Sequence, residues 1–174
     1  MIFSYDEHVV ELAGKVRDFV YEVVIPAETE VDEHGELPPG RLAELRRAAK
    51  ERGVYGPQLP REYGGLGLSL AEMVPVFEEA GRSLLGPLVL NCAAPDEGNM
   101  HLLHLLGTEA QKERYLAPLA AGDIHSAFGM TEPPPGAGSD PTMIKTRAER
   151  RGDDWIIRGH KWWSTGADGA AVFL

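Results

Sequence analysis

The chain has a single cysteine, Cys92, which excludes an internal disulfide framework. Its apolar surroundings predict a small buried hydrophobe, not a reactive thiol. No run of about eighteen apolar residues exists, so no segment is expected to cross a membrane as a helix. The first residues, Met-Ile-Phe-Ser-Tyr-Asp-Glu, lack a basic stretch, an apolar stretch and an arginine-rich pattern. The expected location is therefore cytoplasmic. Positive charge is also scarce: 17 Lys and Arg stand against 27 Asp and Glu, for a net charge of −10. Nucleic acid would require a basic stripe, so no nucleic-acid partner is expected. What is present is ordinary for a globular protein: 174 residues, 43% hydrophobic and 25% charged. That length suits one domain, or one plus part of another.

Helical periodicity governs the first two thirds. Ser4 with Glu7 predicts a capping box, followed by Val9, Leu12, Val16, Phe19, Val20 and Val23 on one face, with Pro26 interrupting the helix. Glu28, Glu30, Asp32 and Glu33 read as a solvated acidic turn, not a metal site. Pro39 is placed to be an early position of a second helix that turns Leu42, Leu45 and Ala49 inward and ends at Gly53. Residues 56–67 read as a loop. Ser69 and Glu72 predict a second capping box, then an apolar stripe of Leu70, Met73, Val74 and Phe77, with Pro75 imposing a kink or a late start. Asp96 is the expected cap of a helix over 97–106 that turns Met100, Leu103 and Leu106 to the core. His101 and His104 lie three apart without a third ligand, so a metal site is not expected, nor any other metal. Thr108 with Gln111 starts the next helix, whose last turn falls near Leu119.

From Ser126 the pattern changes to strands. Ile144 to Arg150 and Trp155 to Gly159 flank a hairpin turn at Arg151-Gly152-Asp153-Asp154, and 170–174 reads as a core-type strand. An apolar strand at 127–130 leads into Thr131-Glu132-Pro133-Pro134-Pro135-Gly136-Ala137-Gly138-Ser139-Asp140. Three consecutive prolines forbid helix and ladder there, and the glycines leave the backbone bare. Downstream, Lys161-Trp162-Trp163-Ser164-Thr165-Gly166 sets two large flat side chains before two hydroxyls. Together the two segments suggest a stacking surface beside a hydrogen-bonding loop, suited to an anionic or heteroaromatic cofactor. The alternative is a proline-rich surface turn and two core tryptophans.

The segment Phe128 to Asp140 resembles the first flavin-binding signature of the acyl-CoA dehydrogenases, and Lys161 to Gly166 is similar to the second. Asn91-Cys92-Ala93-Ala94-Pro95-Asp96-Glu97-Gly98-Asn99-Met100 is similar to a run in one branch of that family, which handles longer or unusual acyl chains. Pro134 and Pro135 lengthen the loop relative to the commoner Thr-Glu-Pro-Gly-Ala-Gly-Ser-Asp form. The resemblance implies a mainly α chain: an amino-terminal all-helical domain over 1–124, then the first strands of an incomplete β-barrel-like middle domain over 125–174. A carboxy-terminal helical bundle would be absent, so these residues would be the front portion of a longer enzyme.

The implied cofactor is flavin adenine dinucleotide (FAD). Phe128, Met130 and Thr131 would touch the isoalloxazine ring, and Trp163 would pack on its face. Thr165 would reach N5 or O4, with Ser164 contributing backbone. Ser139 would lie where the flavin pyrophosphate meets the CoA of the substrate, and so would bind both. Asn99 and Leu103 would lie near the acyl chain, while Trp162 is divided between the β core and the ligand. Glu132 is tempting as a base but is rejected, because the family's base comes from the bundle. No catalytic residue is thus expected in this chain, which alone would be inactive. The implied partners are an acyl-CoA substrate, an electron-transferring flavoprotein and further copies of the full-length chain. Two other readings stay open: a non-catalytic short helical fold for assembly or acyl-CoA binding, and an acyl-CoA oxidase or flavin monooxygenase of the same fold.

Overall fold

The computed structural model describes residues 4–136 and 138–174. Ala137, within the proline-glycine run, lies outside the described residues, as do residues 1–3 of the amino terminus. The chain divides between Ile124 and His125 into two compact units. The first is helical: α1 (Glu7–Phe19), α2 (Ile25–Ala27), α3 (Arg41–Arg52), α4 (Leu70–Ala80), α5 (Gly86–Val89), α6 (Asp96–Leu106), α7 (Glu109–Gln111) and α8 (Ala117–Ala121). Among the described residues none of these helices is long and apolar enough to cross a membrane. The second unit holds β1 (Ser126–Ala127) parallel to β4 (Val172–Phe173), and β2 (Arg147–Arg151) antiparallel to β3 (Asp154–Arg158).

The core of the helical unit is aliphatic. Val16, Phe19, Val20 and Val24 pack with Leu45, Ala49, Val76, Val89 and Leu90, and α1 lies along α4. Removing this apolar surface from water is the main term holding the unit together. Cys92 belongs to the same cluster, and burial pushes its thiol up to about 12. It is a packing residue, as its context predicts.

Prolines are handled differently from the sequence expectation. Pro26 does not interrupt the first helix. A π-turn over Val20–Val24 carries α1 into α2, with the Ile25 N–H bonded to the Val20 carbonyl. The same device recurs before Pro118, where a π-turn over Lys112–Leu116 joins α7 to α8 and the Ala117 N–H reaches the Lys112 carbonyl. Proline lacks an N–H and its ring crowds the carbonyl four residues back; one wider turn relieves both defects without ending the helix. Pro75 sits inside α4, which starts directly after its cap rather than late.

Several caps and faces also differ. Asp6, not Ser4, precedes α1, and no side-chain cap bond forms there. Gly40, with φ 82°, precedes α3, so Pro39 lies outside that helix. Asp96 is the first residue of α6, not its cap. The capping boxes Ser69–Glu72 and Thr108–Gln111 both form, and Gly53 closes α3 in the left-handed conformation. On α4 the buried face is Val76 and Ala80, whereas Leu70 is 80% exposed and Val74 is also exposed. On α6 the buried residues are Asn99, Met100 and Leu103; Leu106 points to solvent. The acidic turn is not merely solvated. Glu28 accepts from the Ser83 hydroxyl at 2.6 Å and the Leu84 N–H at 3.0 Å, and Glu30 forms a two-bond pair with Arg41 at 2.7 and 2.9 Å.

The Asn91 segment is a structural tie. Asn91, 3% exposed and left-handed at φ 57°, donates to the carbonyls of Leu119 and Ala120 at 3.0 and 3.3 Å. Tyr55 donates to the Ala120 carbonyl, Lys50 to Ala121 and Arg46 to Gly122. These donors satisfy the end of α8, where helical carbonyls have no intrahelical partner and attract positive charge.

In the second unit the strands are shorter than their sequence patterns. Of the apolar run 127–130 Ala127 alone lies in strand β1, and of the last run Val172 and Phe173 form β4. The hairpin pairs Arg147 with Arg158 through Arg151 with Asp154, leaving Gly152 and Asp153 as a two-residue turn with Gly152 at φ 65°.

Candidate functional site

The two segments singled out in the sequence run side by side in the second unit. The Gly129 N–H bonds to the Leu174 carbonyl at 2.8 Å, and the Leu174 N–H to the Ala127 carbonyl at 3.0 Å, extending the β1–β4 pairing. The Trp162 N–H then bonds to the Thr131 carbonyl at 3.1 Å, and Lys161 Nζ to the Met130 carbonyl at 2.9 Å. Met130 and Thr131 are thereby tied to Lys161 and Trp162, the residues that precede Trp163, Ser164 and Thr165.

An open groove of about 720 Å³ is lined by Lys161, Trp162, Trp163, Ser164, Thr165, Ala167 and Phe173. Trp163 is 81% exposed, and its ring lies 5.7 Å from that of Trp162 at 49°. Phe128, Trp162 and Phe173 are exposed as well. Thr165 is exposed, while Met130, Thr131 and Ser164 are half-buried. Ser139 is exposed on the return of the loop, next to Gly138, whose carbonyl accepts the Glu132 N–H at 3.0 Å. Beside it Asp140 accepts from the Thr142 N–H at 2.9 Å and its hydroxyl at 2.7 Å, which fixes the loop's exit.

Glu132 is the buried charge of the unit. Its carboxylate accepts from the Lys145 N–H at 2.7 Å, the Thr146 N–H at 2.9 Å, the Thr146 hydroxyl at 2.6 Å and Lys161 Nζ at 3.0 Å. The Thr146 hydroxyl, the Lys145 N–H and Lys161 hold its pKa down to about 2, against partial desolvation. A carboxylate so occupied is a poor proton acceptor at neutral pH, which gives a physical ground for rejecting it as a base. Sequence reading gave Lys161, Lys145, Thr146 and Phe173 no role. The available signal was an acidic residue at the head of the proline loop followed, beyond the hairpin, by a lysine at the head of the tryptophan pair.

The helical unit has a separate cavity of about 340 Å³ between the 58–68 loop and α6, lined by Gln58, Leu68, Met100, His101 and His104 among others. His104 packs edge-on against Tyr63, and no group of three or more metal-capable side chains exists among the described residues. Asn99 and Leu103 are buried within the unit.

Residues 6–123 match the family model of the acyl-CoA dehydrogenase N-terminal domain, and residues 127–174 match that of the acyl-CoA dehydrogenase middle domain. The chain belongs to the acyl-CoA dehydrogenase family. It is 39% identical over 96% of its length to FadE2 of Mycobacterium tuberculosis, named as a probable acyl-CoA dehydrogenase, and covers 42% of that protein. A solved Mycobacterium abscessus protein assigned by name to the acyl-CoA dehydrogenases superposes with TM-score 0.89 at 40% identity, over 98% of this chain and 46% of that one. A glutaryl-CoA dehydrogenase from Mycobacterium smegmatis, solved in complex with FADH2, gives TM-score 0.74 at 32% identity, over 97% of this chain and 42% of its own. The chain thus spans less than half the length of these relatives, from a helical amino-terminal domain into the middle domain.

Proposed function

We propose that the protein carrying this chain is an FAD-dependent acyl-CoA dehydrogenase, and that these residues supply one face of its flavin site and no catalytic base. The observation that carries the reading is the groove: an exposed tryptophan face, flanking aromatics and the Thr165 hydroxyl open to the same space. A buried, satisfied tryptophan pair would have argued for packing alone. Exposed flat rings beside hydroxyl donors fit a tricyclic heteroaromatic with a polar edge.

When bound, FAD would accept the hydride equivalent that leaves the β-carbon of the acyl thioester. This chain's residues would bind and orient. Trp163 would cover one ring face, Phe128, Met130 and Thr131 would line its side, and Ser164 and Thr165 would meet the polar edge. Ser139 would sit toward the pyrophosphate and the CoA moiety. Donors preset at that edge stabilise negative charge on a reduced ring. The substrate is an acyl-CoA, the electron acceptor an electron-transferring flavoprotein, and the assembly a homo-oligomer; these three rest on family membership. The branch with longer or unusual acyl chains rests on the Asn91–Met100 run. With Glu132 occupied, and the family's base expected in a carboxy-terminal bundle, proton abstraction would fall to a residue outside this chain, which alone would be inactive.

Titration of the protein carrying this chain with FAD tests the reading. Quenching of tryptophan emission together with a flavin absorbance band is expected, and both should weaken in Trp163→Ala. A folded protein that leaves FAD unbound would overturn it. Steady oxygen consumption in place of electron transfer to a flavoprotein would move the assignment to an oxidase or monooxygenase.

A further inference from the structure

Trp163 has φ 55°, a conformation that bulky residues adopt rarely and at a cost. Its ring is largely in solvent, so burial of the ring does not offset that cost. The offset comes from the chain on either side. After Trp163, the Ala167 N–H closes a turn on the Ser164 carbonyl at 3.1 Å, the Ala171 N–H bonds to the His125 carbonyl at 2.9 Å, and β4 pairs with β1. Before Trp163, the Trp162 N–H is held by the Thr131 carbonyl, and Lys161 Nζ bridges the Met130 carbonyl and Glu132. Trp163 is the joint between two anchored stretches.

The Lys161 anchor is unlike an exposed ion pair, which contributes little. Glu132 is 4% exposed and already fixed by three donors from residues 145 and 146. Its surroundings are shaped to receive it. A Cβ on Gly136 would stand 2.5 Å from the Glu132 Cβ, and one on Gly159 would stand 2.0 Å from the Thr146 Oγ1. The carboxylate therefore offers Lys161 a stationary partner, and a buried charge so placed demands its counter-ion.

We propose that Glu132 and Lys161 are positioning residues: by clamping residues 161–162 to 130–132, they hold the left-handed turn at Trp163 and keep its ring facing the groove. The proposal rests on the flavin reading for what the ring meets, whereas the clamp itself stands on the geometry. Glu132 would thus serve the site as an anchor, not as a base.

The test labels the protein carrying this chain with 5-fluorotryptophan and assigns Trp155, Trp162 and Trp163 by single Trp→Phe replacements. Glu132→Gln removes the charge at nearly constant size, and Lys161→Met removes both Nζ bonds while leaving the other three bonds of Glu132. In both variants the Trp163 fluorine resonance is expected to shift or broaden while Trp155, on the hairpin, stays put. FAD affinity should fall about tenfold in Glu132→Gln, the loss of one charge-assisted contact. In a Trp163→Ala background Glu132→Gln should cost nothing further, whereas a merely structural role would give the same loss in both backgrounds. An unmoved Trp163 resonance in both variants would overturn the proposal. So would collapse of all three resonances in both, since the pair would then hold the whole unit, not the ring. If the unmodified protein leaves FAD unbound while the Trp163 resonance still responds, the flavin reading fails and the clamp stands.

Discussion

The two units are held by different chemistry. The helical unit buries valines, leucines and Phe19 around α1, α3 and α4. The second unit, among its described residues, buries only Ser126, Ala127 and Glu132, and leaves Phe128, Trp155, Ile157, Trp162, Trp163 and Phe173 exposed. One unit is cemented by apolar area, the other by strand pairing and by hydrogen bonds that converge on a buried carboxylate. Apolar burial is non-directional and tolerates small shifts; a bonded carboxylate fixes geometry but supplies less stabilisation. Of those exposed aromatic side chains, Trp162, Trp163 and Phe173 line the groove.

The contrast can be broken from either side. The largest effect should come from Phe19→Ala, which empties the centre of the helical core and should cost about 4 kcal/mol in chemical denaturation followed by far-ultraviolet circular dichroism. A loss below about 1 kcal/mol, the scale of a surface change, would show that this unit does not depend on its apolar centre. Acid should act next, and on the second unit. The folded Glu132 has its pKa lowered from about 4.5 to about 2, so its contribution is complete above pH 4.5 and is lost as pH falls toward 2. Tryptophan emission should report this loosening in the unmodified protein, and Glu132→Gln should abolish the step. Glu72, lowered to about 2 by Ser69 and His8, titrates over the same range, but the apolar core lies beneath it, so helical content should persist.

Gly159→Ala should cost about 2 kcal/mol in the second unit by overpacking against Thr146, and should also displace Glu132. Thermal melts read through tryptophan emission check it; an unchanged melt would mean that Thr146 can move without consequence. Thr108→Ala, which removes one capping bond on a helix already packed, should cost only about 1 kcal/mol. Amide hydrogen exchange sharpens the comparison throughout. Protection in 126–174 equal to that of α1 and α4 would contradict the view that the second unit is the weaker.

Local signals survived where their physics is local. Ser69–Glu72 and Thr108–Gln111 each need only a hydroxyl, a carboxylate or amide, and three residues of spacing, and both boxes formed as read. Gly53 closed its helix for the same kind of reason. Ser4–Glu7 has the same pattern and failed, because the chain enters the helix two residues later. On α6 Met100 and Leu103 are buried as read and only Leu106 is not, whereas on α4 the buried stripe is shifted to Val76 and Ala80, since which stripe is buried depends on neighbours far away in sequence. Proline was read as a stop at position 26, and a π-turn removed the clash instead. The Trp-Trp pair and the proline-glycine loop were legible as a candidate site; the role of Glu132 was not.

By itself, the sequence determined the family, the division into helical and strand-forming parts, two capping boxes and the Trp162–Thr165 stretch of the groove. Those depend on residue types at fixed short spacing, which local sterics and hydrogen bonding read directly. Only the tertiary structure decided that Trp163 is turned outward, that Asn91 ties off a helix end, and that Glu132 is an anchor. Each of those depends on groups brought together from distant parts of the chain, where a side chain's environment sets whether it packs, binds or reacts.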